Sequence, residues 1–268
     1  MSRSPLVQGP DPLGWFGDCD PDLLVVGHSH VGNVIEAMEQ NLAPDARIAV
    51  TRPPNVGFPE LNSAYWEMVT DSAPGRTVAI VWQGNEHNAK FLIQAEGFRV
   101  WDSLQESTIL DALPGPWVTR TAVKNLFMPT FDGLAELIQC LRASARVVLV
   151  GTPPPKSEIQ VRAGLDRESF FESRAAELGL QLQWDAATIP VAPEVLRVTL
   201  WRILQDIAKD IADNAGVEFV AAPSITISSE GLLKPEYAAA DCTHANTAYG
   251  VHVLQSLHLL LKKTEGAP

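Results

Sequence analysis

The chain has 268 residues, 46% of them hydrophobic and 19% charged, with 7 Trp and 9 Phe. That composition supplies a sizeable core and excludes the charge-rich, aromatic-poor pattern of disordered chains. A formal net charge of −12 opposes binding to polyanions and anionic membrane surfaces, so no nucleic-acid partner is expected.

Residues 1–22, rich in Pro, Gly and Asp, read as an irregular N-terminal arm. They hold no apolar core of signal-peptide length, and no later stretch is long enough to span a membrane. A cytoplasmic protein without stable membrane insertion is therefore expected. Cys19, Cys140 and Cys242 are too few for a disulfide framework and have no C-x-x-C spacing.

The first strand is predicted at 23–27, LLVVG, a wholly apolar run of the kind buried on both faces. VGNVIEAMEQNL follows with Val34, Ile35 and Met38 at helical spacing. Further strands are expected at 46–50 (ARIAV), at 76–84 (RTVAIVWQG), in ARVVLVGTPPP and in VEFVAA. Helices are expected in FDGLAELIQCLRAS, SFFESRAAELGL, EVLRVTLWRILQDIAKDIADNAG and AYGVHVLQSLHLLLKK. Strand and helix alternate, which predicts an α/β fold. Its core would be a doubly wound, mostly parallel five-stranded sheet, a flavodoxin-like three-layer sandwich. Residues 23–268 are expected to form one domain. The least regular stretch, about 89–130, would be an insertion bordering the pocket, with Trp101 and Trp117 on its wall.

In an open α/β sheet, ligands bind beyond the carboxyl ends of the strands. The polar residues after each strand therefore belong together. The first strand is followed by Gly27-His28-Ser29-His30, the second by Asn55 and Gly57, and the third by Gly84-Asn85-Glu86-His87. Asp241 and His244 lie before the last helix. Serine is a weak nucleophile until a base removes its proton, and a carboxylate orients a histidine for that task. The spacing of Asp241 and His244 lets one turn carry both partners. The backbone N–H groups of Ser29 and Gly57, with the amide of Asn85, offer three donors for a tetrahedral oxyanion.

A metal reading competes, because His28 and His30 share one strand-like face and His87 follows the third strand. GHSH and GNEH superficially resemble blocks of metallophosphoesterases, and His28-x-His30 is similar to a motif of metal-dependent amidohydrolases. The metallophosphoesterase order is not reproduced, however, and five strands do not make the amidohydrolase barrel. Cys242 reads as a small loop residue, with no cation beside it in sequence to favour a thiolate.

In order and setting, these loops resemble the SGNH/GDSL hydrolase family from residue 23 to about 262. Gly27-His28-Ser29 stands for its Gly-Asp-Ser block, and the segment around Asn55 and Gly57 for its second. Gly84-Asn85-Glu86 is a shortened third block, and Asp241-Cys242-Thr243-His244 matches the Asp-x-x-His block in full. The resemblance implies a serine-dependent hydrolase of carboxylic esters that works through an acyl-enzyme. Ser29 would be the nucleophile, His244 the base and Asp241 its orienter. The oxyanion hole would be formed by Ser29, Gly57 and Asn85. His28, His30, Glu86, His87, Trp101 and Trp117 are candidate pocket residues. No cofactor or metal is implied, and the expected partner is a small-molecule or carbohydrate acyl ester. O-acyl transfer by the same serine, a metal-dependent hydrolase and an inactive binding module are the alternatives. No coiled-coil repeat points to an oligomer.

Overall fold

The computed structural model describes residues 21–40, 48–51, 64–82, 85–101, 113–180 and 184–265. The expected N-terminal arm lies outside them, except for its last two residues. The elements begin β1 (Leu23–Gly27), α1 (Gly32–Glu39), β2 (Ile48–Thr51), α2 (Ala64–Ser72), β3 (Thr77–Val81) and α3 (Glu86–Phe91). Next come β4 (Arg99–Trp101), β5 (Trp117–Thr119), α4 (Arg120–Phe127), α5 (Leu134–Arg142), β6 (Arg146–Val150), α6 (Glu158–Gly164) and α7 (Ser169–Glu177). The chain closes with α8 (Glu194–Ala215), β7 (Glu218–Val220) and α9 (Thr247–Glu265).

Five strands form one parallel sheet in the order β2-β1-β3-β6-β7. Successive residues of each strand face opposite sides, and the core divides accordingly. Leu24, Val26, Val78, Ile80, Val147 and Leu149 face α2, α5 and α8. Leu23, Val25, Ala79, Val81, Val148 and Val150 face α1 and α9. Apolar residues fill nearly all of β1, β3 and β6 because both faces of these central strands are covered. The result is an α/β sandwich with mostly parallel strands.

The strands nevertheless fall into two sheets, which corrects the single sheet expected. β4 and β5 form a separate parallel pair, with Arg99 opposite Trp117 and Trp101 opposite Thr119. They lie within the 89–130 stretch, which also holds α4, capped where Thr119 Oγ1 accepts from the Ala122 N–H at 3.2 Å. Three-residue strands with one buried side chain, Val100, are too short to show a period in sequence.

The chain leaves β1 for one side of the sheet, reaches β2, and crosses to β3 on the other side of β1. The carboxyl ends of β1 and β3 therefore flank the crevice where an open sheet binds ligands. The turn out of β1 is sterically determined. Gly27 has φ +142°, and a β-carbon there would meet the Val81 carbonyl oxygen at 2.0 Å. The His28 N–H bonds that same carbonyl at 3.1 Å. From α2, the Tyr65 hydroxyl accepts the Gly27 N–H at 2.9 Å.

Candidate active site

Ser29 opens a single 3-10 turn, Ser29–Val31, that runs directly into α1. Its side is open to solvent while its neighbours His28 and His30 are buried. A nucleophile presented at the end of a central strand needs this arrangement: fixed backbone, accessible hydroxyl.

The second half of the site lies on a loop closed by an antiparallel bridge between Ala238 and Ala245, reinforced by the Ala239 N–H to His244 carbonyl bond at 3.0 Å. Within it, Asp241 Oδ2 lies 3.0 Å from His244 Nδ1. Asp241 Oδ1 accepts the backbone N–H groups of Thr243 at 2.9 Å and His244 at 2.7 Å. This is an Asx turn in which one carboxylate shapes the loop and orients the ring it carries. The carboxylate fixes the proton on Nδ1 and leaves Nε2 as the basic nitrogen. Burial opposes the charge of Asp241. The bonds from the His244 ring and backbone, with Lys156 beside them, outweigh it and hold the carboxyl well below its usual range.

His30 joins the two halves. Its ring lies 5.3 Å from that of His244, centroid to centroid. Neither of its ring nitrogens has a hydrogen bond among the described residues. Burial, with the nearby His244 and His87, lowers its pKa well below the ordinary histidine value. His28 packs edge-on against Trp82 at 4.9 Å and Trp66 at 5.9 Å, and burial lowers its pKa to about 4. These histidines are neutral packing around the site.

After β3, Asn85 stands at the start of α3, where its Oδ1 accepts from Asn88 Nδ2 at 2.7 Å. Among the described residues its own amide N–H groups make no hydrogen bond. His87 is buried on the same helix, and Glu86 is half-buried and pairs with Lys90 at 3.5 Å. Asn55, Gly57 and Gly84 lie outside the described residues. Trp101 and Trp117 meet each other edge-to-face at 5.6 Å on the small sheet, and the Arg99 guanidinium covers Trp117 at 4.6 Å.

Two residues around the dyad were not singled out in the sequence. Lys156, buried just beyond the Pro153–Pro155 loop that follows β6, donates to Asp241. Glu168 Oε1 accepts the Cys242 N–H at 2.9 Å and the Thr243 hydroxyl at 3.2 Å. A polar residue just past a strand's carboxyl end was the available signal for Lys156. Glu168, between a 3-10 turn and α7, gave none. Burial and the Glu168 carboxylate push the Cys242 thiol far up, so it is no thiolate.

Among the described residues, His28, His30 and His87 do not bring three ligand atoms together. Glu168, Asp241 and His244 do, within 4.8 Å of one another. The Glu168 and Asp241 carboxylates are already engaged in the loop's own hydrogen bonds, and Lys156 also donates to Asp241. No metal is assigned to them.

No protein-family model matches the chain, and no curated protein matches it significantly. Solved structures do. A Streptococcus pneumonia protein provisionally described as a platelet activating factor superposes with a TM-score of 0.50 at 11% identity, covering 91% of this chain and 86% of that one. An extracellular lipase from Streptomyces rimosus gives 0.48 at 11% identity, over 89% and 99% of the two chains. The periplasmic domain of a lipopolysaccharide acetyltransferase from Salmonella ser. Paratyphi A gives 0.45 at 12%, over 90% and 84%. Two of these structural neighbours are described as extracellular and periplasmic, and the expectation of a cytoplasmic protein is withdrawn. Among the described residues no helix is long and apolar enough to cross a membrane. At these identities the likeness is one of fold: the chain shares the α/β architecture of the Streptococcus protein over nine-tenths of its length.

Proposed function

We propose that the chain is a serine-dependent hydrolase of carboxylic esters of the SGNH type, acting on small-molecule or carbohydrate acyl esters. The observation that carries this reading is the 3.0 Å contact between Asp241 Oδ2 and His244 Nδ1, on a ring that packs against His30, the residue next to the exposed Ser29.

In this mechanism His244 Nε2 takes the Ser29 hydroxyl proton as Oγ attacks the ester carbonyl. The carbonyl π electrons move to oxygen, where the N–H groups of Ser29 and Gly57 and the Asn85 amide receive the charge. Collapse expels the alcohol, protonated by His244, and leaves acyl-Ser29. His244 then takes a proton from water, whose oxygen attacks the acyl carbonyl. The acid departs and Ser29 regains its proton. Asp241 stays ionised throughout and steadies the transient imidazolium. A sugar or other hydroxyl in place of water yields O-acyl transfer from the same intermediate.

The test is turnover of p-nitrophenyl acetate by wild type, Ser29→Ala and His244→Ala proteins whose circular dichroism spectra agree. Each variant is expected to lose roughly 1,000-fold or more in kcat. Wild-type activity is expected to survive exhaustive chelation. Full turnover by the Ser29→Ala protein overturns the reading. Loss on chelation with recovery on adding one divalent metal favours the metal-dependent alternative instead.

A further inference from the structure

Lys156 is 1% exposed, and its Nζ reaches three oxygens: the Asp241 carbonyl at 2.6 Å, the Ala239 carbonyl at 2.9 Å and Asp241 Oδ1 at 3.3 Å. Burial lowers the Lys156 pKa and the adjoining Asp241 carboxylate opposes that effect; three acceptors match the three N–H donors of an ammonium, where a neutral amine carries only two. The backbone behind it is anchored as well. Arg197, fully buried on α8, donates from Nη1 to the Lys156 carbonyl at 2.5 Å and from Nε to the Ala192 carbonyl at 2.8 Å. A buried cation therefore stands on a fixed base and grips both the backbone and the carboxylate of Asp241.

Glu168 grips the same loop from another side. Its Oε1 takes the Cys242 N–H and the Thr243 hydroxyl, and that hydroxyl lies 3.2 Å from His244 Nδ1. The two residues bring opposite charges to one histidine. Lys156 shares the Asp241 carboxylate with the ring and so weakens its pull on an imidazolium. Glu168 adds negative charge near the ring and strengthens that pull. The other titratable groups facing the dyad among the described residues are Cys242 and His30, with His28 and His87 behind. Burial keeps the Cys242 thiol, His30 and His28 neutral.

We propose that Lys156 and Glu168 are a pair of positioning residues that hold the Asp241–His244 loop and set the proton affinity of His244 from opposite sides. The proposal rests on the reading of His244 as general base. Neither residue touches substrate; each acts through the loop it grips.

The experiment follows the His244 imidazole Cε1–H resonance by NMR across pH, identified by its loss in His244→Asn. The pH dependence of kcat/KM on p-nitrophenyl acetate is recorded in parallel. In Lys156→Met the His244 titration and the acid limb of the rate profile are expected to move up by roughly half to one pH unit. In Glu168→Gln both are expected to move down by a similar amount, and in Lys156→Arg they stay near wild type. General loosening of the loop would move both neutralising variants the same way. Shifts of one sign, or no shift in either, overturn the proposal. If Lys156→Met does not fold, the downward shift of Glu168→Gln against an unmoved Lys156→Arg decides. The NMR arm needs no turnover, so opposed shifts in a protein inactive on every ester would refute the assigned reaction and retain the pair.

Discussion

His28 occupies the position after Gly27, and it illustrates how a residue attractive as chemistry becomes packing. Its ring packs edge-on against the stacked Trp66 and Trp82, and burial depresses its folded pKa to about 4. The unfolded chain takes up a proton near pH 6.5 while the folded chain does not. The stabilising contribution of the neutral ring is therefore complete above pH 6.5 and is lost as pH falls towards 4, by roughly 3 kcal/mol. Urea unfolding between pH 7 and 4 should show a shallower decline for His28→Phe, which keeps an aromatic ring against the tryptophan pair and cannot titrate. Equal slopes would contradict this. Some residues of the candidate site were legible because their reason is local. Asp241 and His244 share one turn, and Gly27 sits where a strand must end in a backbone only glycine adopts. Lys156 was not, because its partner lies 85 positions away and only the folded chain brings them together.

Helix α6 shows how an element places chemistry it does not carry. Its last residue, Gly164, is buried, and a β-carbon there would meet the Asp241 carbonyl carbon at 2.3 Å and the Cys242 nitrogen at 2.4 Å. Backbone rests on backbone, so the helix end forms the floor of the Asp241–His244 loop. Ser157 sets the other end, with a reciprocal capping box to Gln160 immediately after Lys156. Gly164→Ala should cost about 1–3 kcal/mol of stability and lower ester turnover more than tenfold by displacing Asp241. Ala163→Ser, exposed on the same helix, should stay within about 0.5 kcal/mol of wild type. Calorimetry with steady-state kinetics checks both, and a fully active, fully stable Gly164→Ala protein would contradict the floor. The central strands β1, β3 and β6 were legible as elements because burial on both faces writes them as apolar runs. The small parallel sheet was not, since Arg99–Trp101 and Trp117–Thr119 pair across a long connection with three residues each.

At the scale of the molecule, one parallel sheet brings distant parts of the sequence to one edge. The strand order places the ends of β1 and β3 side by side, and α9, packed against α1 on one face, brings the loop before it towards that edge. Alternation of strands and helices made this much legible. The side on which each helix packs, and which loop meets which, came from the fold. A formal net charge of −12 disfavours an anionic polymer as partner. The proposed reaction requires Ser29 to carry the acyl group from the ester to water or another hydroxyl. Rapid quenching of the enzyme with a short p-nitrophenyl ester, followed by intact-mass measurement and peptide mapping, tests it most directly. One added acyl mass located on Ser29, absent from Ser29→Ala, is expected. An acyl mass on another residue, or full turnover by the Ser29→Ala protein, would contradict it.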